Sequence, residues 1–585
     1  MSAAATQIAE IPHRPVIGIH DGHNASVAVI ENGRLRFALQ EERLTRIKNQ
    51  GDAPVGALKQ ALALVASPLQ PTAGLAPLFA LNGQYMNYGQ WRREVILDDY
   101  ARSSTSVSRV KQFCKNTFLD RFYQSRKAAD RADALEAAGI DPIHSQPVEH
   151  HLAHASAAYH TCPWPDQNVL VFTCDGSGDR LSATVNIGAH GKLSRLTQVS
   201  EHDSIGRLYA LVTRWLGMVP LEHEYKVMGL APYVGSDNRA VRIASGFAGW
   251  FEFSRDGLSW GRRPGVPSLY SAYEWMAGQL AGQRFDLVAA GVQSFLEQWL
   301  VRWVRNAIRE TGIPRVACAG GVFMNVKANL AVLEIPELEE MYVFPSCGDE
   351  SNSIGAACHV AASSGQRIER LGPIYFGRPI SDAEVELALG STGGNRVRSR
   401  WVADIESQTA DALSLGKVVA RAKGQAEFGA RALGNRSILA RADSPDAVRV
   451  INQMVKNRDF WMPFAPSVLS SRAGDYYAKP KPVDSPHMMF AFPSCPKKRT
   501  SFSAAQHAYD FTARPQEVCE NFSPDYYRLL KEFESRTGEG VLLNTSFNLH
   551  GEPIVHRASE ALDVFNRSGL EYMALGNWWI EKRAA

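Results

Sequence analysis

Residues 16–40, VIGIHDGHNASVAVIENGRLRFALQ, alternate short apolar runs with polar turns. Val16–His20 reads as a strand, 21–26 as a polar turn and 27–30 as a second strand. Glu31-Asn32-Gly33 closes a hairpin, because Asn-Gly readily adopts the positive φ of a tight turn. Arg34–Gln40 then returns as a third strand. The same order comes back later in the chain. Residues 168–174 are a strand, Asp175-Gly176-Ser177-Gly178-Asp179 a polar turn, 181–187 a strand, 188–191 a turn and 193–199 a third strand.

The interval between these units exceeds any solenoid period. It predicts two duplicated halves facing each other across a cleft, as in actin, sugar kinases and heat-shock ATPases. Chance likeness of two hairpins is the alternative. Downstream, a helix is expected over 287–311, then a strand over 315–318. That strand leads through Ala319-Gly320-Gly321-Val322-Phe323-Met324-Asn325 into another helix. A strand over 341–344, a polar loop over 348–353 and a helix of small residues over 354–364 follow. The pattern weakens over 366–379, where Gly372-Pro373 and Pro379 mark irregular chain. A boundary placed there gives domains 1–366 and 367–585. The second opens with a helix over 403–414 and a strand over 417–420.

The composition, 45% hydrophobic and 21% charged over 585 residues, is that of a soluble globular chain too long for one core. A net charge of +3 gives no overall pull toward nucleic acid or membrane. No window approaches the ~18 consecutive apolar residues of a membrane span. The N-terminus lacks a basic start leading into an apolar run, so no signal peptide is expected. The eight cysteines, Cys114, Cys162, Cys174, Cys318, Cys347, Cys358, Cys495 and Cys519, include no C-x-x-C pair. Buried free thiols in a reducing cytoplasm explain them better than a zinc module.

Four clusters carry chemistry. In Glu149-His150-His151-Leu152-Ala153-His154 the composition favours helix. His150 and His154 then share one face, and neutral imidazoles at that spacing grip a divalent metal. His151 points ~100° away. No Glu follows either of the first two histidines, so this is no H-E-x-x-H site. Carboxylates are needed to complete the shell. Asp175 and Asp349, each following a strand, are the candidates, although Asp175 could simply stabilise its own turn. Such a set suits iron, manganese or zinc. Gly320, Gly321 and Asn325 sit between strand and helix, where backbone amides meet an anion, and read as a nucleotide contact. The glycine-flanked Arg431 and Arg436, with Lys456, Arg458 and Arg514, form a pocket suited to phosphates. Asn544-Thr545-Ser546, after a strand, offers neutral donors and acceptors or simple turn chemistry.

Eight motifs occur in order: GIHDGHNASVAVIENGRLRFALQEERLTRIK at 18–48, HHLAH at 150–154, EYKVMGLA at 224–231, AGGVFMN at 319–325, EFGARALGNRS at 427–437, WMPFAPS at 461–467, TARPQ at 512–516 and LNTSFNLHGEPIV at 543–555. Together they resemble the ATP-dependent O-carbamoyltransferases, which include nodulation carbamoyltransferases and those decorating tobramycin, cephamycin and ansamycin antibiotics. The resemblance implies an α/β protein. Its N-terminal domain would be actin-like and similar to the tRNA threonylcarbamoyl transferase subunit. Its C-terminal domain would be YrdC-like and would form carbamoyl-adenylate from carbamoyl phosphate and ATP, with Mg2+ accompanying the nucleotide. The carbamoyl group would then pass to a hydroxyl of a small molecule, a secondary metabolite or a glycan. By the same resemblance His150, His154, Asp175 and Asp349 hold a metal, iron above others. His23 accepts the acceptor's proton, and Lys48 contacts the carbamoyl-adenylate. Gly320, Gly321 and Asn325 belong to the nucleotide site, and Arg431, Lys456, Arg514 and Asn544 to the carbamoyl phosphate and ATP pocket.

Two departures stand out. Met462 replaces the arginine many members carry before Pro-Phe-Ala-Pro, so Arg458 or Arg436 compensates or donor binding weakens. Ala430 replaces a usual proline, which is expected to alter only loop stiffness. The aromatic and basic stretch 81–126 is the expected acceptor pocket. A cytoplasmic monomer or homodimer without nucleic-acid partner is expected. The rival readings are a tRNA threonylcarbamoyl-type transferase and a non-catalytic nucleotide-gated protein of the heat-shock type.

Overall fold

Asn32 and Gly33 take φ of 48° and 76°. Two consecutive positive φ values make the tight hairpin that joins β2 (Ser26–Glu31) to β3 (Arg34–Gln40). His190 and Gly191, at 49° and 76°, do the same between β7 (Leu181–Ala189) and β8 (Lys192–Ser200). The likeness extends to whole sheets. β1 (Val16–His20) pairs antiparallel with β2 and parallel with β4 (Leu78–Asn82), which runs parallel to β5 (Ser145–Val148). The spatial order is β3-β2-β1-β4-β5. β6 (Val169–Gly178) pairs antiparallel with β7. A small hairpin, β9 (Phe251–Phe253) and β10 (Trp260–Arg262), intervenes in sequence. β11 (Arg315–Ala319) and β12 (Glu340–Val343) then complete the order β8-β7-β6-β11-β12 with the same directions. Two sheets of one topology are the duplicated actin-like core.

The computed structural model describes residues 13–67, 74–84, 93–101, 120–137, 139–140, 145–391, 397–456 and 459–583. Cys114, Arg458 and most of the 81–126 stretch lie outside them. The other seven cysteines are free thiols, and five of these are buried. Among the described residues no helix is long and apolar enough to cross a membrane.

The helices His150–Thr161 and Asn352–Ser363 pack against each other between the two sheets. They approach so closely that a Cβ on Gly355 would stand 1.9 Å from the Ala153 carbonyl. This contact carries the start of one helix to the start of the other. Gln366 still bonds to Gly33 and Arg14, and the Leu371 amide to Thr161. Tyr375–Pro379 already pairs with Gln425–Glu427 of the second module.

That second module is α/β, built on an eight-stranded mixed sheet. Its strands lie in the order Val397–Trp401, Trp578–Lys582, Tyr572–Leu575, Val419–Ala422, Arg436–Arg441, Val541–Ser546, Ala465–Leu469 and Gln516–Val518. Helices Ile405–Ser414 and Pro524–Thr537 cover one face through Leu413, Leu529 and Phe533. The strand expected at 417 starts at Val419, because the Lys417 amide turns back to cap the helix on Ala412.

Candidate functional site

Two carboxylates fix where the histidine helix begins. Glu149 accepts from the amides of His151 and Leu152, and Asp179 from that of His150 at 2.8 Å. Free amides and the positive helix end both favour negative charge there. His150 and His154 follow on one face, ring centroids 4.8 Å apart. His151 turns into the sheet, its Nδ1 at 2.8 Å from Thr173 Oγ1 on β6.

Asp175 on β6 and Asp349, which opens the turn before the Asn352–Ser363 helix, complete the cluster. The ligand atoms of His150, His154, Asp175 and Asp349 all lie within 4.8 Å of one another. Nε2 of His150 is 3.5 Å from each carboxylate, and Nε2 of His154 is 3.0 Å from Asp175 and 3.5 Å from Asp349. Most of these gaps exceed a good N–H···O bond. Donors held ~2.0–2.2 Å from one ion in a tetrahedron stand ~3.3–3.6 Å apart, so the set fits a divalent metal. The electrostatics agree. Burial opposes protonation of His150, but Asp349 and Asp175 outweigh it and lift its pKa to about 9. Burial raises the Asp175 carboxyl, yet His150 and His154 hold it well below the usual carboxylate range. The pocket stabilises positive charge, which an ion supplies better than a proton. Asn352 Nδ2, 3.2 Å from His154 Nε2 and 3.5 Å from His150 Nδ1, is a neighbour that sequence reasoning missed.

The duplicated loops have diverged. Asp21, the counterpart of Asp175, makes a buried two-pronged ion pair with Arg131 at 2.9 and 3.0 Å. Arg131 also ties down the carbonyls of Asn82 and Gly83. The first loop is thereby a rigid support, and it presents His23. The ring of His20 contacts the His23 carbonyl and the Asn82 amide, each at 2.8 Å. Burial, the largest influence, holds His23 below 6.5 although Asp349, Asp175, Glu222 and Glu42 pull upward. His23 is therefore a neutral imidazole at neutral pH.

One cavity of about 1540 Å³ joins these groups to the second module. His23, Lys48, His150, Asp175, Gly321, Asn325, Asp349, Arg431, Lys456 and Arg514 all line it. Lys48 Nζ stands 3.9 Å from Glu222 Oε2. Asn325 caps the Val326–Leu333 helix through the Ala328 amide and exchanges two amide hydrogen bonds with Gln293. Lys456 Nζ is surrounded by Ser546 and Asn548 oxygens at 2.5–3.0 Å. Of the 81–126 stretch, Asn82, Gly83, Ile96, Asp99 and Tyr100 reach the cavity.

Four expectations shift. Asn544 lies behind the wall, its amide donating to Ala432, Ser467 and Gln516, so it braces the arginine loop. Arg436 is spent on the carbonyls of Lys423, Gly424, Asn435 and His556 and does not replace the arginine missing at Met462. Ala430 does more than soften its loop, because its amide donates to Ser346 Oγ at 3.3 Å, a bond proline cannot make. Gly320 is also behind the wall. At φ 100°, an added Cβ would stand 2.3 Å from the Cys174 carbonyl. Gly320→Ala is expected to lower stability by ~1–3 kcal/mol, read as a fall in Tm.

The family description "Carbamoyltransferase N-terminus" matches residues 15–358, and "Carbamoyltransferase C-terminus" matches 410–582. The chain belongs to the carbamoyltransferase family. Nodulation protein NolNO of Sinorhizobium fredii is 31% identical over 96% of this carbamoyltransferase and 79% of its own length. Nodulation protein NolO of Bradyrhizobium diazoefficiens is 34% identical, covering 75% and 79%. Nodulation protein U of Rhizobium tropici is 26% identical, covering 94% and 93%. The two matched regions split the cavity wall. The histidines and aspartates come from the first, and Arg431, Lys456 and Arg514 from the second.

Proposed function

We propose that this carbamoyltransferase uses one water to split carbamoyl phosphate into carbamate and phosphate, joins the carbamate oxygen to the α-phosphorus of ATP with release of pyrophosphate to give carbamoyl-adenylate, and passes the carbamoyl group to a hydroxyl of a small-molecule acceptor. The observation that carries this is the single cavity shared by a phosphate-type cationic wall and a His2Asp2 cluster. Arg431 and Arg514 hold the phosphates, the guanidinium forks fixing their orientation, and Lys456 adds its positive charge to the wall from within its ring of Ser546 and Asn548 oxygens. Lys48 and the turn at Gly321 and Asn325 receive the adenylate. His23 takes the proton of the attacking hydroxyl, and AMP leaves. His150, His154, Asp175 and Asp349 would hold a divalent metal, iron foremost, which as a Lewis acid supplies positive charge where negative charge develops.

The products test the reading. With carbamoyl phosphate, ATP, Mg2+ and a hydroxyl acceptor, phosphorus NMR is expected to show AMP, pyrophosphate and phosphate. ADP would favour the heat-shock type of nucleotide gate. A requirement for bicarbonate and threonine would favour the tRNA-modifying type.

The state of His23 gives a pH prediction. Its base form is lost only as pH falls through a folded pKa that lies below 6.5. The kcat/KM for consuming supplied carbamoyl-adenylate should therefore show an acid limb centred below pH 6.5. An acid limb centred above 6.5 that disappears in His23→Ala would contradict this.

A further inference from the structure

The loop that carries Arg431 is gripped by the other module. The Gly429 amide donates to Gln40 Oε1 at 3.1 Å, and Arg43 Nη2 donates to the Gly429 carbonyl at 2.5 Å. The next amide, Ala430, donates to Ser346 Oγ. Both backbone polar groups of Gly429 and the N–H of Ala430 are thus held across 84 to 389 positions of sequence. Gln40, Arg43 and Ser346 are at most 4% exposed. Gln40 ends β3 and Arg43 follows in the helical turn Glu42–Thr45.

The backbone is set for this grip. Ser346 takes φ 54° and Gly429 φ 91°, both left-handed. A Cβ on Gly429 would lie 2.1 Å from Ser346 Oγ, so only glycine allows the approach. Left-handed strain in a non-glycine residue persists where surrounding structure imposes it, and such sites cluster at functional positions. The Ser346 hydroxyl also donates to Glu350, the neighbour of Asp349. One hydroxyl therefore touches both the loop of the His2Asp2 cluster and the loop of Arg431.

We propose that Gln40, Arg43 and Ser346 are positioning residues for Arg431, so that formation of carbamoyl-adenylate in the second module depends on side chains of the first. This rests on the function proposed above. A guanidinium fork binds an anion well in one orientation only, and the clasp fixes the peptide two residues before it. The same contact gives a physical reason for keeping both reactions in one chain.

The test is the KM for carbamoyl phosphate in acceptor-free ATP–pyrophosphate exchange, measured on the full chain. Gln40→Ala removes the acceptor of the Gly429 amide and should raise that KM by about 10- to 100-fold, the scale of a displacement near 1 Å. Gln40→Glu keeps an oxygen there and should remain near wild type. Ser346→Ala, which removes the second contact, should also raise KM, and it serves if Gln40→Ala does not fold. Unchanged KM in folded Gln40→Ala and Ser346→Ala, or equal losses in Gln40→Ala and Gln40→Glu, would overturn the clasp. Absence of exchange in the wild type would overturn the functional reading and this inference with it.

Discussion

His150→Ala is expected to lose consumption of supplied carbamoyl-adenylate while keeping carbamoyl phosphate-dependent ATP–pyrophosphate exchange. The substitution leaves Asp175 and Asp349 facing one imidazole where two had stood. Three donors hold a divalent ion less tightly, so bound metal should fall along with transfer. A Lewis acid contributes several kcal/mol to such a step, so transfer should drop by ~10³-fold. The fold should survive, because Glu149 and Asp179 cap the helix through backbone amides that alanine retains. Metal analysis, exchange and AMP release on the same sample check all three. Loss of exchange together with transfer would mean that the two sites are not separate.

Arg431→Ala is expected to give the opposite pattern. It removes a fork from the phosphate wall and leaves the His2Asp2 cluster intact. Exchange should fall by about 10²–10³-fold, the cost of deleting one charge-stabilising donor. Supplied carbamoyl-adenylate should still be consumed at close to the wild-type rate. Lysine at this position should restore little, since an ammonium cannot reproduce the fork. The two variants together form a double dissociation, which neither a general folding defect nor a single shared site would produce.

The parts of this account that were legible in the sequence are local. Asn32-Gly33 announces its hairpin through turn chemistry, and the second meander announces itself by repeating the first. His150 and His154 are joined by helical spacing alone. Asp349 was found because a strand, a polar loop and a small-residue helix succeed one another. What stayed hidden depends on packing between distant segments. Asp21, just after β1, and Asp175, near the end of β6, hold matching places in the two sheets, yet only the partner Arg131 shows that the first is a brace. Asn544 lies among polar residues at a strand end, and only the sheet reveals that it points behind the pocket. The left-handed turn at Ser346 has no glycine or asparagine to signal it, and its reason lies on another module. The residues Gln40 and Gly429, which meet at 3.1 Å, carry no local sign of each other.

The central claim is that one chain both makes and uses carbamoyl-adenylate. Its most direct test is isotope exchange between labelled pyrophosphate and ATP, with the purified wild-type protein, Mg2+ and no acceptor. Exchange that appears only when carbamoyl phosphate is added is the predicted result. Exchange without carbamoyl phosphate, or no exchange while ATP is split to ADP, would contradict it.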